Sequence, residues 1–373
     1  MKKKVISAGH ICIDITPVFP DRKVTDIASV LQPGKLIEMG KADVSTGGSV
    51  ANTGLGMKIL GANVRLMGKI GDDEFGNMIC GILNNYGAAD GMIHSRNQST
   101  SYSVVLAVPG IDRIFLHNPG ANNAFYASDI DEEALKEAAH FHFGYPPLMK
   151  SMYENEGAEL LALFQKVKSA GLSTSLDLAA VDPDSDAGKA DWEKILKKLM
   201  PYVDFFLPSV EELCFMLDRS RFEEWQQRAM GRAITEILNP DNDIRPLAQK
   251  CMDMGAKVLV LKCGAPGLYY RTATQELLAQ VGRKSELDIK LWADKEGFEK
   301  SYKAERVLSG TGAGDTSIAA FLTGMLNGEG PEDCLHLAAA AGACCVSSYD
   351  ALSGLLTMDK MKEKIAKGWE KCL

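Results

Sequence analysis

The sequence predicts an α/β fold: a central, mostly parallel sheet with helices on both faces and a small β-sheet projecting from it. Three observations lead there. Apolar strand-like runs alternate with helical segments along most of the 373 residues, the pattern that lays helices on both faces of a parallel sheet. Two stretches, roughly 11–45 and 99–118, break that alternation and read as short exposed strands and turns. The 35 glycines are clustered, at 47–48, 264–267 and 310–314, where a ligand's oxygens can approach bare backbone.

Taken in order, the first strand is expected over Val5–Ile15, stopping before Pro17. Residues 18–45 carry the breakers Pro20, Pro33 and Gly34 with short alternations, which suits a small exposed sheet. A helical pattern runs from Thr53 to Leu60 and closes at Gly61, a C-cap residue. "NVRLMGKIG" is a buried strand, and "DEFGNMICGILNNYG" an amphipathic helix ending at Gly87. "TSYSVVLAV" and "RIFLH", linked by "PGID", form a hairpin. Helix 129–139, strand "HFHFGY", helix 154–170, strand "STSLDL", helix 191–199 and strand "DFFLPS" follow. Two further helices precede strand "KVLVLKCG" and a strand pair near 268–280; residues 282–304, charged and weakly patterned, read as a surface insertion. The last two helices run to Leu326 and over Pro331–Val346.

Charge and cysteine usage exclude several function classes. The balance is 41 − 49 = −8, and the longest basic run is Lys2–Lys4, so nucleic-acid binding is not expected. Nine cysteines, with no CxxC, read as reduced thiols of a cytoplasmic protein. The longest apolar run, 337–346, is far too short to span a bilayer, and the N-terminus lacks the apolar region of a signal peptide.

The strongest chemical signal is "SGTGAGDTSIAAF", Ser309–Phe321. Gly310, Gly312 and Gly314 precede a helix opening at Asp315-Thr316, and bare N–H groups at a helix N-terminus make an anion site. A carboxylate beside such a site repels the anion unless it accepts a proton from an attacking hydroxyl. Asp315 is therefore either that base or a plain N-cap. A Walker A loop needs a Lys after its glycines and the dinucleotide fingerprint needs GxGxxG after the first strand; neither is present. A second signal is "STGGSVANTG", where Gly47-Gly48 lies ahead of Asn52 at a helix start. A third is Asp14 at the end of the first strand, a position that faces the ligand crevice in parallel α/β sheets.

Together these segments resemble the PfkB (ribokinase-like) carbohydrate kinase family, over nearly the whole chain. "GGSVAN" with the downstream "GKIGDDEFG", Gly47–Gly76, is similar to its N-terminal motif, and "SGTGAGD" to its C-terminal signature some 260 residues on. "LKCGAPGLYY" resembles the nucleotide-side strand and turn, and "FLPSVEEL" the NxxE segment.

The resemblance implies a ribokinase-like three-layer αβα sandwich, one domain over 1–373, with a lid built from about 11–45 and 99–118. It implies an ATP-dependent kinase acting on a hydroxymethyl group of a small sugar. Asp315 would be the base, and the Gly312, Ala313 and Gly314 amides the anion hole. Asp14, Gly47, Gly48, Asn52 and Asn122 would hold the acceptor. Ser209, Gly264, Gly267, Thr311 and Gly342 would line the nucleotide, and Glu212 would act on Mg²⁺. A monovalent cation and a homodimer paired through the lids are further expectations of the resemblance.

Three departures stand out: Ser209 where the family has Asn, Gly310 before "TGAGD", and Ser49 after the Gly pair. "GGSVANT" is similar to nucleoside-kinase members, which leaves the acceptor open between a sugar and a nucleoside. A non-catalytic sugar-binding regulator is the alternative from another class. His140, His142 and Tyr145 sit at a strand end where a substrate-reading side chain is expected, and Asp177 ends the next strand.

Overall fold

The computed structural model describes residues 2–20, 24–111 and 113–372. Among these, thirteen strands build two sheets. They are β1 (Lys4–Gly9), β2 (Cys12–Thr16), β3 (Asp43–Gly47), β4 (Asn63–Gly71), β5 (Ile93–Ser95), β6 (Tyr102–Leu106) and β7 (Ile114–Asn118). Then come β8 (Ala138–Gly144), β9 (Ser173–Asp177), β10 (Phe205–Phe206), β11 (Val258–Lys262), β12 (Gly267–Thr272) and β13 (Glu296–Lys300). Nine form one sheet in the order β13-β12-β11-β10-β9-β8-β1-β4-β5. Every pairing from β11 to β5 is parallel, and β12 and β13 add an antiparallel edge. The second sheet runs β3-β2-β6-β7.

Side chains alternate across a strand, and the large sheet divides its residues between two apolar cores accordingly. Val5, Phe205, Val258 and Val260 point to one face, under helices Ser49–Ile59, Ala313–Leu326 and Pro331–Cys345. Ile6, Phe206, Leu259 and Leu261 point to the other, under Lys150–Ser169, Trp192–Leu199 and Arg245–Asp253. Phe205, Trp292 and Phe321 meet edge to face, with centroids 5.7–6.3 Å apart, each such pair adding about 0.5–1.5 kcal/mol beyond burial.

The same alternation sorts "HFHF" and "STSLD". Phe141, Phe143 and Leu176 fill the second core. His140, His142, Ser173 and Ser175 share the other face, fully buried and bonded to each other: Ser175 Oγ lies 2.8 Å from both His140 Nε2 and His142 Nδ1. Burial holds the His142 ring down to about 3, with Lys262 adding to the shift; a neutral polar layer thus underlies the sheet's carboxyl end.

Several elements differ from expectation. The stretch 5–15 is two strands, because the chain leaves the large sheet at Gly9 and enters the second sheet at Cys12. Between Pro17 and Ala42 the described residues hold one short turn of helix, Ile27–Ser29, and only β3 pairs; 21–23 lie outside the described residues. The helix expected from Thr53 starts at Ser49. Helix 129–139 shrinks to Glu132–Glu137, since β8 already begins at Ala138. The partner of β12 lies at 296–300 rather than near 280. Residues 282–304 are no surface insertion: they supply β13 and the buried Trp292, a single large anchor that outweighs their charged composition. No described helix is long and apolar enough to cross a membrane, and all nine cysteines are free.

Candidate active site

The helix Ala313–Leu326 starts from Gly312, which is its N-cap at φ +76°. A Cβ on Gly312 would come 2.2 Å from the Ala351 Cβ, so this tight start needs glycine on both steric and conformational grounds. Asp315 therefore stands in the first turn, not at the cap, and its side chain makes no capping hydrogen bond. It is instead buried and gripped from three sides. Asn52 Nδ2 donates to Oδ2 at 3.0 Å, Thr53 Oγ1 to Oδ1 at 3.1 Å, and the Tyr145 hydroxyl lies 2.8 Å from both oxygens. Burial lifts the Asp315 carboxyl above its ordinary range, opposed by Lys262 and by these three donors. Tyr145 follows β8 in the left-handed region, φ +66°, a conformation that costs a non-glycine residue about 1–2 kcal/mol and here turns its hydroxyl onto Asp315.

Asp315 lines a cleft of about 640 Å³. Gly312, Ala313 and Gly314 line it, with Ser209, Glu212, Gly264, Gly267 and Gly342. Thr311 does not; its amide is taken by Ser309 Oγ at 3.1 Å. Ser209 caps the helix Val210–Leu217 in a reciprocal box: Glu212 N donates to Ser209 Oγ and Ser209 N to Glu212 Oε2. The box needs only a short hydroxyl, so serine serves, and the second carboxylate oxygen of Glu212 stays outside it.

On the second-sheet side, Asp14 sits on β2 with its carboxylate against Gly47, where a Cβ would come 2.1 Å from Oδ2. Burial raises the Asp14 carboxyl, opposed by hydrogen bonds from Cys12 and Ser103. Gly48, at φ +84°, lies against His10; a Cβ there would meet its Nδ1 at 2.6 Å. Two expected acceptor contacts have other partners. Asn52 is turned to Asp315. Asn122 is fully buried and clips the Ile11 backbone, accepting from Ile11 N at 3.2 Å and donating to Ile11 O at 2.9 Å and Pro119 O at 3.1 Å. Both its amide hydrogens are thereby used inside the fold.

The structure adds residues that sequence reasoning passed over. Thr53 completes the Asp315 grip. His10 Nε2 lies 3.3 Å from His117 Nε2 of β7, joining the two sheets beside Tyr145; burial holds His10 down to about 3, with His117 adding to the shift. Lys262 ends β11 with Nζ 2.6 Å from Asp177 Oδ1. A lone Lys closing the apolar run "VLVL" was its available signal.

Comparison with known proteins decides the family. A model described as pfkB family carbohydrate kinase matches residues 2–358. The chain belongs to that family. Fructokinase-2 of Oryza sativa subsp. japonica is 26% identical over 376 residues, covering 97% of this chain and 94% of that protein. Among solved structures, Arabidopsis thaliana ribokinase complexed with ribose and ATP superposes with a TM-score of 0.70 at 20% identity, covering 97% and 98% of the two chains. Fructokinase with bound ATP from Xylella fastidiosa gives 0.71 at 18% identity, covering 98% and 99%. This pfkB chain is thus a carbohydrate kinase with a ribokinase-type α/β fold.

Proposed function

We propose that this chain transfers the γ-phosphoryl group of ATP to a hydroxymethyl group of a small sugar or sugar-like molecule. One arrangement carries the reading: a buried, triply held Asp315 in the first turn of a helix whose N-terminal residues line the large cleft. The acceptor hydroxyl gives its proton to Asp315 as its oxygen bonds to the γ-phosphorus and the bond to the ADP oxygen breaks. The amides of Gly312 and Gly314, with that of Ala313, which here donates to Gly310 O at 3.3 Å, would take up charge on the transferring oxygens. A carboxyl lifted toward neutral pH is the stronger base for this step.

Asp14, with the room that Gly47 and Gly48 leave around it, would hold acceptor hydroxyls. The nucleotide would lie along Gly264, Gly267 and Gly342. The residues present fit Mg²⁺: Asp177 Oδ2 is buried without a partner, and Glu212 keeps one oxygen outside its box. These are hard donors of the kind magnesium takes while keeping its waters. Bound there with ATP, the ion would neutralise phosphate charge. The second sheet would act as a lid that excludes water. Its strand β7 exposes Ile114, Phe115 and Leu116, which supports pairing of two lids in a homodimer. The nine free thiols support a cytoplasmic setting.

ADP release measured with ATP, Mg²⁺ and a panel of ribose, fructose, 2-keto-3-deoxygluconate and adenosine tests the reading, with and without potassium. Turnover of a sugar is expected. Turnover of adenosine alone would make the chain a nucleoside kinase, and saturable sugar binding without product a non-catalytic binder.

A further inference from the structure

The cleft is acidic. Among the described residues its lining includes Asp177, Glu211, Glu212 and Asp315 and a single basic side chain, Lys262, while Arg113 reaches the adjoining glycine loop from outside the lining, at Ser309 Oγ. A nucleotide triphosphate entering it meets carboxylates at its phosphate end, so the position of that one cation matters.

Alternation along β11 turns Lys262 to the face that carries Asp315, because Val258 and Val260 point there and Leu259 and Leu261 point away. Asp177 ends β9 on the same face, one strand beyond β10. Lys262 Nζ donates to Asp177 Oδ1 at 2.6 Å, the one hydrogen bond it makes among the described residues, although an ammonium has three donors. Its stem runs beside the anion hole. A Cβ on Gly314 would lie 3.3 Å from Lys262 Cδ and 3.5 Å from Nζ, so glycine at 314 lets the ammonium lie alongside the helix N-terminus.

The other buried lysine pair behaves differently. Lys257 and Lys168 both spend their ammonium groups on Asp204 and on backbone carbonyls, Lys257 on Pro201 O and Val203 O and Lys168 on Gln280 O. That is a structural knot away from the cleft. Lys262 has one anchor and open donors inside it.

We infer that Lys262 is the protein's own cation for phosphoryl transfer: its ammonium binds the oxygens of the transferring phosphate, and Asp177 positions it. The inference rests on the kinase reading above. It involves no bond change beyond those of the transfer itself; Lys262 keeps its protons throughout and supplies charge that grows in value as the γ-phosphoryl group separates from ADP.

The alternative is that Lys262 only neutralises a buried Asp177. Lys262→Met, Asp177→Asn and the double variant Lys262→Met/Asp177→Asn distinguish the two, Asp177→Asn measuring by itself any loss at the magnesium site. ATP and ADP affinities are read by titration calorimetry with Mg²⁺, kcat on the best acceptor of the panel, and folding by thermal melting. On the inference, Lys262→Met lowers kcat about 10²–10³-fold and weakens ATP more than ADP. The double variant restores the melting temperature, since no buried charge is left unpaired, but its kcat stays about 10²-fold below that of Asp177→Asn. If the double variant turns over like Asp177→Asn, or Lys262→Met like the unsubstituted chain, the inference is overturned. Should Lys262→Met fail to fold, the double variant against Asp177→Asn decides by the same kcat criterion. Absence of ATP binding by the unsubstituted chain would overturn the kinase reading itself, an outcome the variants do not share.

Discussion

Replacing Asp315 by Asn removes the charge and turns one oxygen into an NH₂ group. Of the three groups now donating to the carboxylate, the Thr53 and Tyr145 hydroxyls can rotate and accept, whereas Asn52 Nδ2 cannot. The new carbonyl will therefore face Asn52, at the old Oδ2 position, and the new NH₂ will face Thr53. Every buried group keeps a partner. The fold loses the difference between charged and neutral hydrogen bonds, about 1 kcal/mol, and gains relief from a buried charge. The melting temperature should move by no more than a few degrees. Asp315→Ala is the poorer probe, because it strands three buried donors at about 1–3 kcal/mol each. Loss of the base itself should lower kcat by about 10²–10⁴, or roughly 3–5 kcal/mol of barrier, with ATP affinity kept because the Gly312–Gly314 amides are untouched. The assay is ADP release with the best acceptor, beside calorimetric titration of ATP. A kcat within tenfold of the unsubstituted chain, at unchanged melting temperature, would mean that the proton goes elsewhere.

Four further outcomes follow from the same geometry. Since burial raises the Asp315 carboxyl and the base must be ionised, kcat/KM should fall on the acid side with a midpoint above the ordinary value of about 4; a limb at or below 4 would contradict the environment described. His10, held down to about 3, should add no transition between pH 5 and 8. Gly47→Ala drives a methyl into the Asp14 carboxylate and should raise the acceptor KM tenfold or more while leaving ATP affinity within about twofold; equal loss of both would separate Asp14 from acceptor binding. Asn122→Leu leaves the Ile11 N–H and C=O without their partner and should cost about 2–5 kcal/mol, measured by urea denaturation. A loss below about 1 kcal/mol would show that the clip is replaceable.

The large sheet was legible because parallel strands covered on both faces read as apolar runs, and the "TGAGD" glycines announced the tight start of the helix that carries Asp315. What escaped has a common physical cause. The break at Gly9 is invisible to hydropathy, since "VISAG" and "CIDIT" are both strand-like and only tertiary pairing sends them to different sheets. Trp292 escaped because one anchor decides the fate of a polar segment. Asn52 and Asn122 stood out in the sequence as amides near glycines, but which partner an amide chooses depends on distances of about 3 Å between segments remote in sequence. The Lys262–Asp177 pair depends on the strand order, which brings residues 85 positions apart to one edge of the cleft.

The joint between the two sheets is a two-residue bridge, His10-Ile11, bonded on every side: His10 N to Gly144 O, Val50 N to His10 O, and Ile11 to the Asn122 clip. These hydrogen bonds brace the joint against acting as a hinge. On the lid reading proposed above, opening of the second sheet would be a flexing of its strands about this braced root. On that reading the floor beneath the acceptor would stay put while the roof moves, and a change in the size or shape of the molecule accepted would be met by exchanging side chains on β6 and β7 rather than by re-angling the whole sheet.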